Sequence, residues 1–161
     1  MVGVPLKRPV CFLARDTLFK NPILGSFLRN VYVMPIDRSA ASSEIMKKAI
    51  LKMQEGHLVG IFPEGTRSED GQLQRIKPGF IAIAKRSKLP IYPVAVAGTL
   101  NAMPRNSFFI RPKKIRVVFG DPITPEQIEE LGKKENKQEF IKHVEERIDN
   151  CLQKAEKMIN S

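Results

Sequence analysis

Short apolar runs and longer helical stripes alternate along the chain. Val10 to Ala14 is apolar, lies between Arg8-Pro9 and Arg15-Asp16, and reads as a buried strand in which Cys11 packs as a small hydrophobe. Asn21-Pro22 places a cap before a proline at the first helical position, and Ile23, Leu24, Phe27 and Leu28 follow at helical spacing. Val31 to Ile36 is a second strand. Ser42 or Ser43 can cap the next helix, which has Ile45, Met46, Ala49, Ile50 and Met53 as its buried stripe and Gly56 as its stop. His57 to Phe62 is a third apolar run, expected as the central strand. It ends at Pro63, which cannot donate to a ladder.

The second half continues the alternation. Glu69-Asp70-Gly71 is a tight polar turn, and Lys77-Pro78-Gly79 leads into a helix through Lys88 with Phe80, Ile81, Ile83 and Ala84 apolar. Ile91 to Ala97 is a strand, and Pro93 inside it predicts a bulge or a broken ladder. Asn101 to Pro112 reads as a loop and Lys114 to Phe119 as the last strand. Thr124-Pro125-Glu126-Gln127 is a helix start: a cap, a proline, then an acid in the first turn. Lys133 to Lys137 is a polar connector. Asn136 and Glu139 make a capping-box-like entry to a long final helix striped by Phe140, Ile141, Val144, Ile148, Cys151, Leu152, Ala155, Met158 and Ile159. The expected fold class is α/β: a mostly parallel central sheet flanked by helices, closed by that long C-terminal helix. No repeat, low-complexity tract or second domain is visible, so residues 1–161 read as a single domain.

The chemistry concentrates where the third apolar run stops. Ile61-Phe62-Pro63-Glu64-Gly65-Thr66-Arg67-Ser68 follows a strand end with an acid, a glycine, two hydroxyls and a guanidinium. Gly65 permits a turn that a side chain would forbid. The turn presents Glu64, Thr66, Arg67 and Ser68 at the carboxyl edge of a parallel sheet, where open α/β folds bind ligands. Arg67 has the fork that matches phosphate or carboxylate. Arg15 and Arg38 follow two other strands, so they are expected at the same edge. Among the basic residues that follow the turn, Lys77 is singled out for a binding role.

Phe62 to Ser68 resembles the third signature block of the glycerolipid acyltransferases, the 1-acylglycerol-3-phosphate acyltransferase group. Val33-Met34-Pro35-Ile36-Asp37-Arg38 is similar to the second block and Ile91-Tyr92-Pro93-Val94-Ala95-Val96 to the fourth, in the right order. The likeness runs from about Val2 to about Thr124 and implies a glycerol-3-phosphate acyltransferase-like fold. It also implies transfer of a fatty acyl group from acyl-CoA or acyl carrier protein to the free hydroxyl of 1-acylglycerol-3-phosphate, with no cofactor and no metal. Carried over as substrate-binding residues are Glu64, Gly65, Thr66, Arg67, Arg38 and Arg15. Glu64 is expected to order the turn or bind an acceptor hydroxyl rather than to take a proton.

The family's first block, His-x4-Asp, supplies the catalytic base, and this sequence does not contain it. Neither His57 nor His143 is followed by an aspartate at that spacing. His57 is expected at the far end of its strand from Glu64, and His143 in solvent. The expectation is therefore an N-terminally truncated, incomplete acyltransferase domain, with no catalytic residue of its own and inactive alone. The alternative is a non-catalytic module that binds anionic phospholipid.

Charge narrows the partners. The 161 residues carry a net charge of +10 at 42% hydrophobic content, which favours an anionic partner. Arg105, Phe108, Phe109 and Arg111 interleave cations with aromatics, a pattern that suits a membrane interface or single-stranded nucleic acid. Nucleic acid leaves the Glu64-to-Ser68 turn unexplained and is not expected. No run reaches the length of a spanning helix. Cys11 and Cys151 are far apart and in no metal spacing, and are expected as free buried thiols. The expected partners are a lysophosphatidate-type acceptor, an acyl donor and the anionic surface of a membrane, met peripherally on its cytoplasmic face.

Overall fold

A computed structural model describes residues 2–3, 6–36, 42–66, 68, 70–104, 107, 109 and 111–160; the side chains of Arg15, Ser42 and Lys134 are also outside the description. The chain forms two compact units, Gly3–Phe62 and Pro63–Ser161 with Met1–Val2.

In the first unit, β1 (Val10–Arg15) lies between β2 (Met34–Ile36) and β3 (Leu58–Gly60), all parallel. The central strand is thus β1, and the third apolar run forms the sheet's edge among the described residues. β1 divides its ladder: Val10 to Phe12 pair with β3, and Leu13 to Arg15 pair with β2. That division ends β3 at Gly60, short of the six residues the apolar run suggests. Phe12 also lies across Gly60 so closely that a Cβ there would strike its ring, and the same ring stacks on Phe62 at 5.7 Å.

Helix α1 (Pro22–Asn30) begins as its sequence predicts, with Asn21 Oδ1 accepting from the N–H groups of Ile23 and Leu24, both at 3.1 Å. Its apolar face is not core, however: Ile23 is 84% exposed and Phe27 59%. Helix α2 (Ser42–Gln54) buries Met46 and Ala49. It is already under way at Ser42, so Ser43 is not its cap. It ends at Gly56, where φ is +86°, with His57 N–H donating to Lys52 O and Gly56 N–H to Met53 O, both at 3.0 Å. These two bonds are the pair that closes a left-handed helix stop. Arg8 donates from Nε and Nη2 to Gly56 O, at 2.9 and 2.6 Å.

The second unit contains α3 (Gly79–Ser87), β4 (Val94–Ala97), α4 (Thr99–Ala102), β5 (Arg116–Phe119), α5 (Pro125–Leu131) and α6 (Lys137–Asn160). β4 and β5 pair antiparallel. Upstream of β4, Ile91 makes one antiparallel bridge to Ile123, and the ladder is broken between them at Tyr92-Pro93, as Pro93 predicts. Helix α6 packs on this pair through Cys151, Leu152 and Ala155, which meet Ala95 and Ala97. Farther up α6, Phe140 is fully buried and meets Phe80 of α3 edge-on at 5.7 Å. The Thr124 and Gln127 side chains and backbones cap α5 reciprocally. Helix α6 is entered through a 3-10 turn, Lys134–Asn136, rather than through an Asn136–Glu139 box. No helix among the described residues is long and apolar enough to cross a membrane.

Candidate functional site

The signature turn opens the second unit. Pro63 supplies a carbonyl and no donor, and Lys77 N–H donates to that carbonyl at 2.9 Å. Glu64 Oε2 accepts from Gln74 N–H at 2.8 Å, across ten residues of chain. Gly65 has φ +71°, a left-handed value that a side chain adopts only with strain. The turn is therefore tied twice to the segment before α3. One tie uses the carboxylate, so Glu64 orders the turn. Gly65 and Thr66 are exposed at its tip.

The next turn is held by its own side chains. Ser68 Oγ accepts from Gly71 N–H at 2.8 Å and donates to Asp70 Oδ1 at 3.0 Å; the same oxygen accepts from Gln72 N–H at 2.9 Å. The bonds from Gln72 N–H and Ser68 hold the Asp70 carboxyl below the usual carboxylate range. Gly71 has φ +89°, as the polar turn requires.

The segment between signature and helix is anchored from a direction that sequence reasoning missed. Ile76 is 2% exposed, and its N–H donates to Glu145 Oε1 of α6 at 3.3 Å. Glu145 stands on a charged helix run where a solvated face is the ordinary reading, and nothing local marks it. Gln74, the other missed residue, acts through its backbone and so has no side-chain signal.

Of the remaining sequence-derived residues, Arg15 is the last residue of β1, paired with Ile36. Because β1, β2 and β3 are parallel, the chain leaves all three at one sheet edge, the one expected to carry Arg15 and Arg38. Arg38 and Arg67 lie outside the described residues, as do Arg105 and Phe108. Phe109 is described and is 83% exposed.

His57 precedes β3 at the opposite sheet edge, with its ring 5.7 Å from that of Tyr32 and its Nε2 3.7 Å from Glu55. His143 is not in solvent. It borders the buried stripe of α6, three residues after Phe140, and its Nε2 is shielded with no hydrogen-bond partner among the described residues. Cys11 and Cys151 are both free and buried, and burial pushes both thiols up.

The profile of the Acyltransferase family matches residues 1–97. A 1-acyl-sn-glycerol-3-phosphate acyltransferase of Bacillus subtilis is 30% identical over 98% of this chain and 75% of its own length. The chain belongs to the acyltransferase family. An enzyme of the same name from Limnanthes douglasii is 40% identical over 69% of the chain, and the match spans 41% of that enzyme. Among solved structures, the 1-acyl-sn-glycerophosphate acyltransferase PlsC of Thermotoga maritima is similar, with a TM-score of 0.72, 26% identity, and coverage of 91% of this chain and 56% of that one. The signature turn of this acyltransferase lies within the matched residues. Phospholipid biosynthesis and transferase chemistry are thus the setting in which its geometry is read.

Proposed function

We propose that this acyltransferase chain serves acyl transfer to 1-acylglycerol-3-phosphate, with the signature turn holding the acceptor's phosphate end. The observation that carries the proposal is the double tie of that turn: Glu64 to Gln74 N–H, and Pro63 O to Lys77 N–H. It fixes the exposed tip, Gly65 and Thr66, before any substrate arrives, which is what positioning a hydroxyl for attack requires. Arg67 is proposed as a ligand of the same phosphate by its fork; Arg38 and Arg15 are proposed as substrate-binding residues.

In the reaction, the acceptor hydroxyl oxygen bonds to the thioester carbonyl carbon of acyl-CoA or acyl carrier protein. The carbon–sulfur bond breaks, the hydroxyl proton passes to a base, and the donor leaves as a thiol. No cofactor takes part. The base for such a step is a histidine held by a carboxylate, and neither His57 nor His143 has the His-x4-Asp spacing. We therefore propose that these 161 residues bind the acceptor but do not turn it over alone.

A second reading, a phospholipid-binding module without turnover, is favoured by one observation. Helix α1 exposes Ile23 and Phe27 beside Lys20 and Arg29, with no acid from Thr17 to Ile36. That face suits the surface of an anionic bilayer, met peripherally. The test for both readings is titration with soluble, short-chain 1-acylglycerol-3-phosphate and with the neutral monoacylglycerol, followed by an acyl-transfer assay with acyl-CoA. Preference for the phosphorylated lipid with no product is the expected result. Equal affinity for the two lipids contradicts the phosphate site, and product formation contradicts the assignment of the base.

A further inference from the structure

We propose that Lys77 supplies the ammonium that pairs with the substrate's phosphoryl group at the signature turn, and that a side chain at position 65 would crowd it. This inference rests on the reading of that turn as a phosphate site. Lys77 is far enough along the chain to pass for one more solvated cation, but its placement is built. Its N–H is bonded to Pro63 O at 2.9 Å, and the residue before it, Ile76, is buried and bonded to Glu145. The backbone that carries Lys77 is thus fixed on one side to the turn and on the other to α6.

The side chain, although exposed, folds back over the turn. A Cβ on Gly65 would lie 3.1 Å from Lys77 Nζ and 3.5 Å from both Cδ and Cε. Gly65 is exposed, so this is the open side of the tip. The Glu64 carboxylate, next to Gly65 in sequence, is engaged by Gln74 N–H, and Asp70, closer to Lys77 along the chain, by Gln72 N–H and Ser68 Oγ. Among the described residues no carboxylate pairs with Lys77; the lysine ion pairs there are Lys52–Glu55 and Lys142–Glu146. A compact ammonium, held over a glycine and lacking a counter-ion among those residues, fits a phosphate monoester of charge about −1.5 to −2. It offers nothing to a neutral glyceride.

The test is calorimetric titration of the chain with soluble 1-acylglycerol-3-phosphate and, separately, the matching monoacylglycerol. Lys77→Met keeps the aliphatic stem and removes the charge; Lys77→Arg keeps the charge. Loss of one charge-assisted contact weakens binding about tenfold or more. The expected result is that loss for the phosphorylated lipid with Lys77→Met, unchanged affinity for the monoacylglycerol, and partial recovery with Lys77→Arg. Equal weakening of both lipids would show the stem packing rather than the charge at work, and would overturn the proposal. A Lys77→Met chain that binds the phosphorylated lipid like wild type would overturn it too, while leaving the phosphate-site reading standing. Wild type that fails to prefer the phosphorylated lipid removes both.

Discussion

At the scale of single residues, what the signature turn can bind depends on which of its groups are already committed. Glu64 spends one oxygen on Gln74 N–H. In Glu64→Ala that part-buried donor has no partner, which costs about 1–3 kcal/mol, whereas Glu64→Gln keeps an acceptor and costs less. Urea unfolding curves of the two variants check the order. Gly98 combines φ +87° with a Cβ position that would strike Lys114 O, so Gly98→Ala loses at least about 2 kcal/mol. Cys11 and Cys151 have thiols raised by burial and stay protonated at neutral pH. Because folding disfavours the thiolate, stability is full below the unfolded thiol's pKa and falls as pH rises through that range. Iodoacetamide should label either cysteine slowly at neutral pH until denaturant is added; rapid labelling in the native state contradicts their burial. None of this is local information. The sequence marks Gly65 as a turn glycine, but Lys77 is its neighbour only after folding.

At the scale of elements, local signals read well and partner choice does not. The Asn21 and Thr124 caps, the Gly56 stop and the Pro93 break all come from interactions spanning a few residues, and all are observed. Two strand arrangements were beyond the sequence. Ile91 to Ala97 and Lys114 to Phe119 look alike whether parallel or antiparallel, and their antiparallel pairing is set by a connection and by α6. Likewise, nothing in His57 to Phe62 says that β1 lies inside it. His143 borders the apolar stripe instead of opposing it, so its polar neighbours in sequence do not reveal its shielded Nε2. Lys88, which ends α3, sits at φ 53° without being glycine. Lys88→Gly should therefore stabilise the chain by about 1 kcal/mol, read as a raised urea midpoint. For α1, replacing Ile23 and Phe27 by serine should reduce binding to anionic vesicles while leaving the unfolding midpoint close to wild type, since both are exposed. A large drop in the midpoint would show that the face is packed in solution.

At the scale of the whole molecule, family membership and net charge point the same way. A net charge of +10 favours an anionic partner, and on the proposed reading salt should weaken binding both to the phosphorylated lipid and to an anionic surface. The most direct test of the central claim is a 15N–1H correlation spectrum of the chain, titrated with soluble 1-acylglycerol-3-phosphate. If the signature turn holds the phosphate, the amides of Gly65, Thr66, Gln74 and Lys77 shift together and saturate at one affinity. The neutral monoacylglycerol then leaves those four in place. If those four stay fixed while shifts appear only along α1 or around Phe109, the turn is not the phosphate site and the account is wrong.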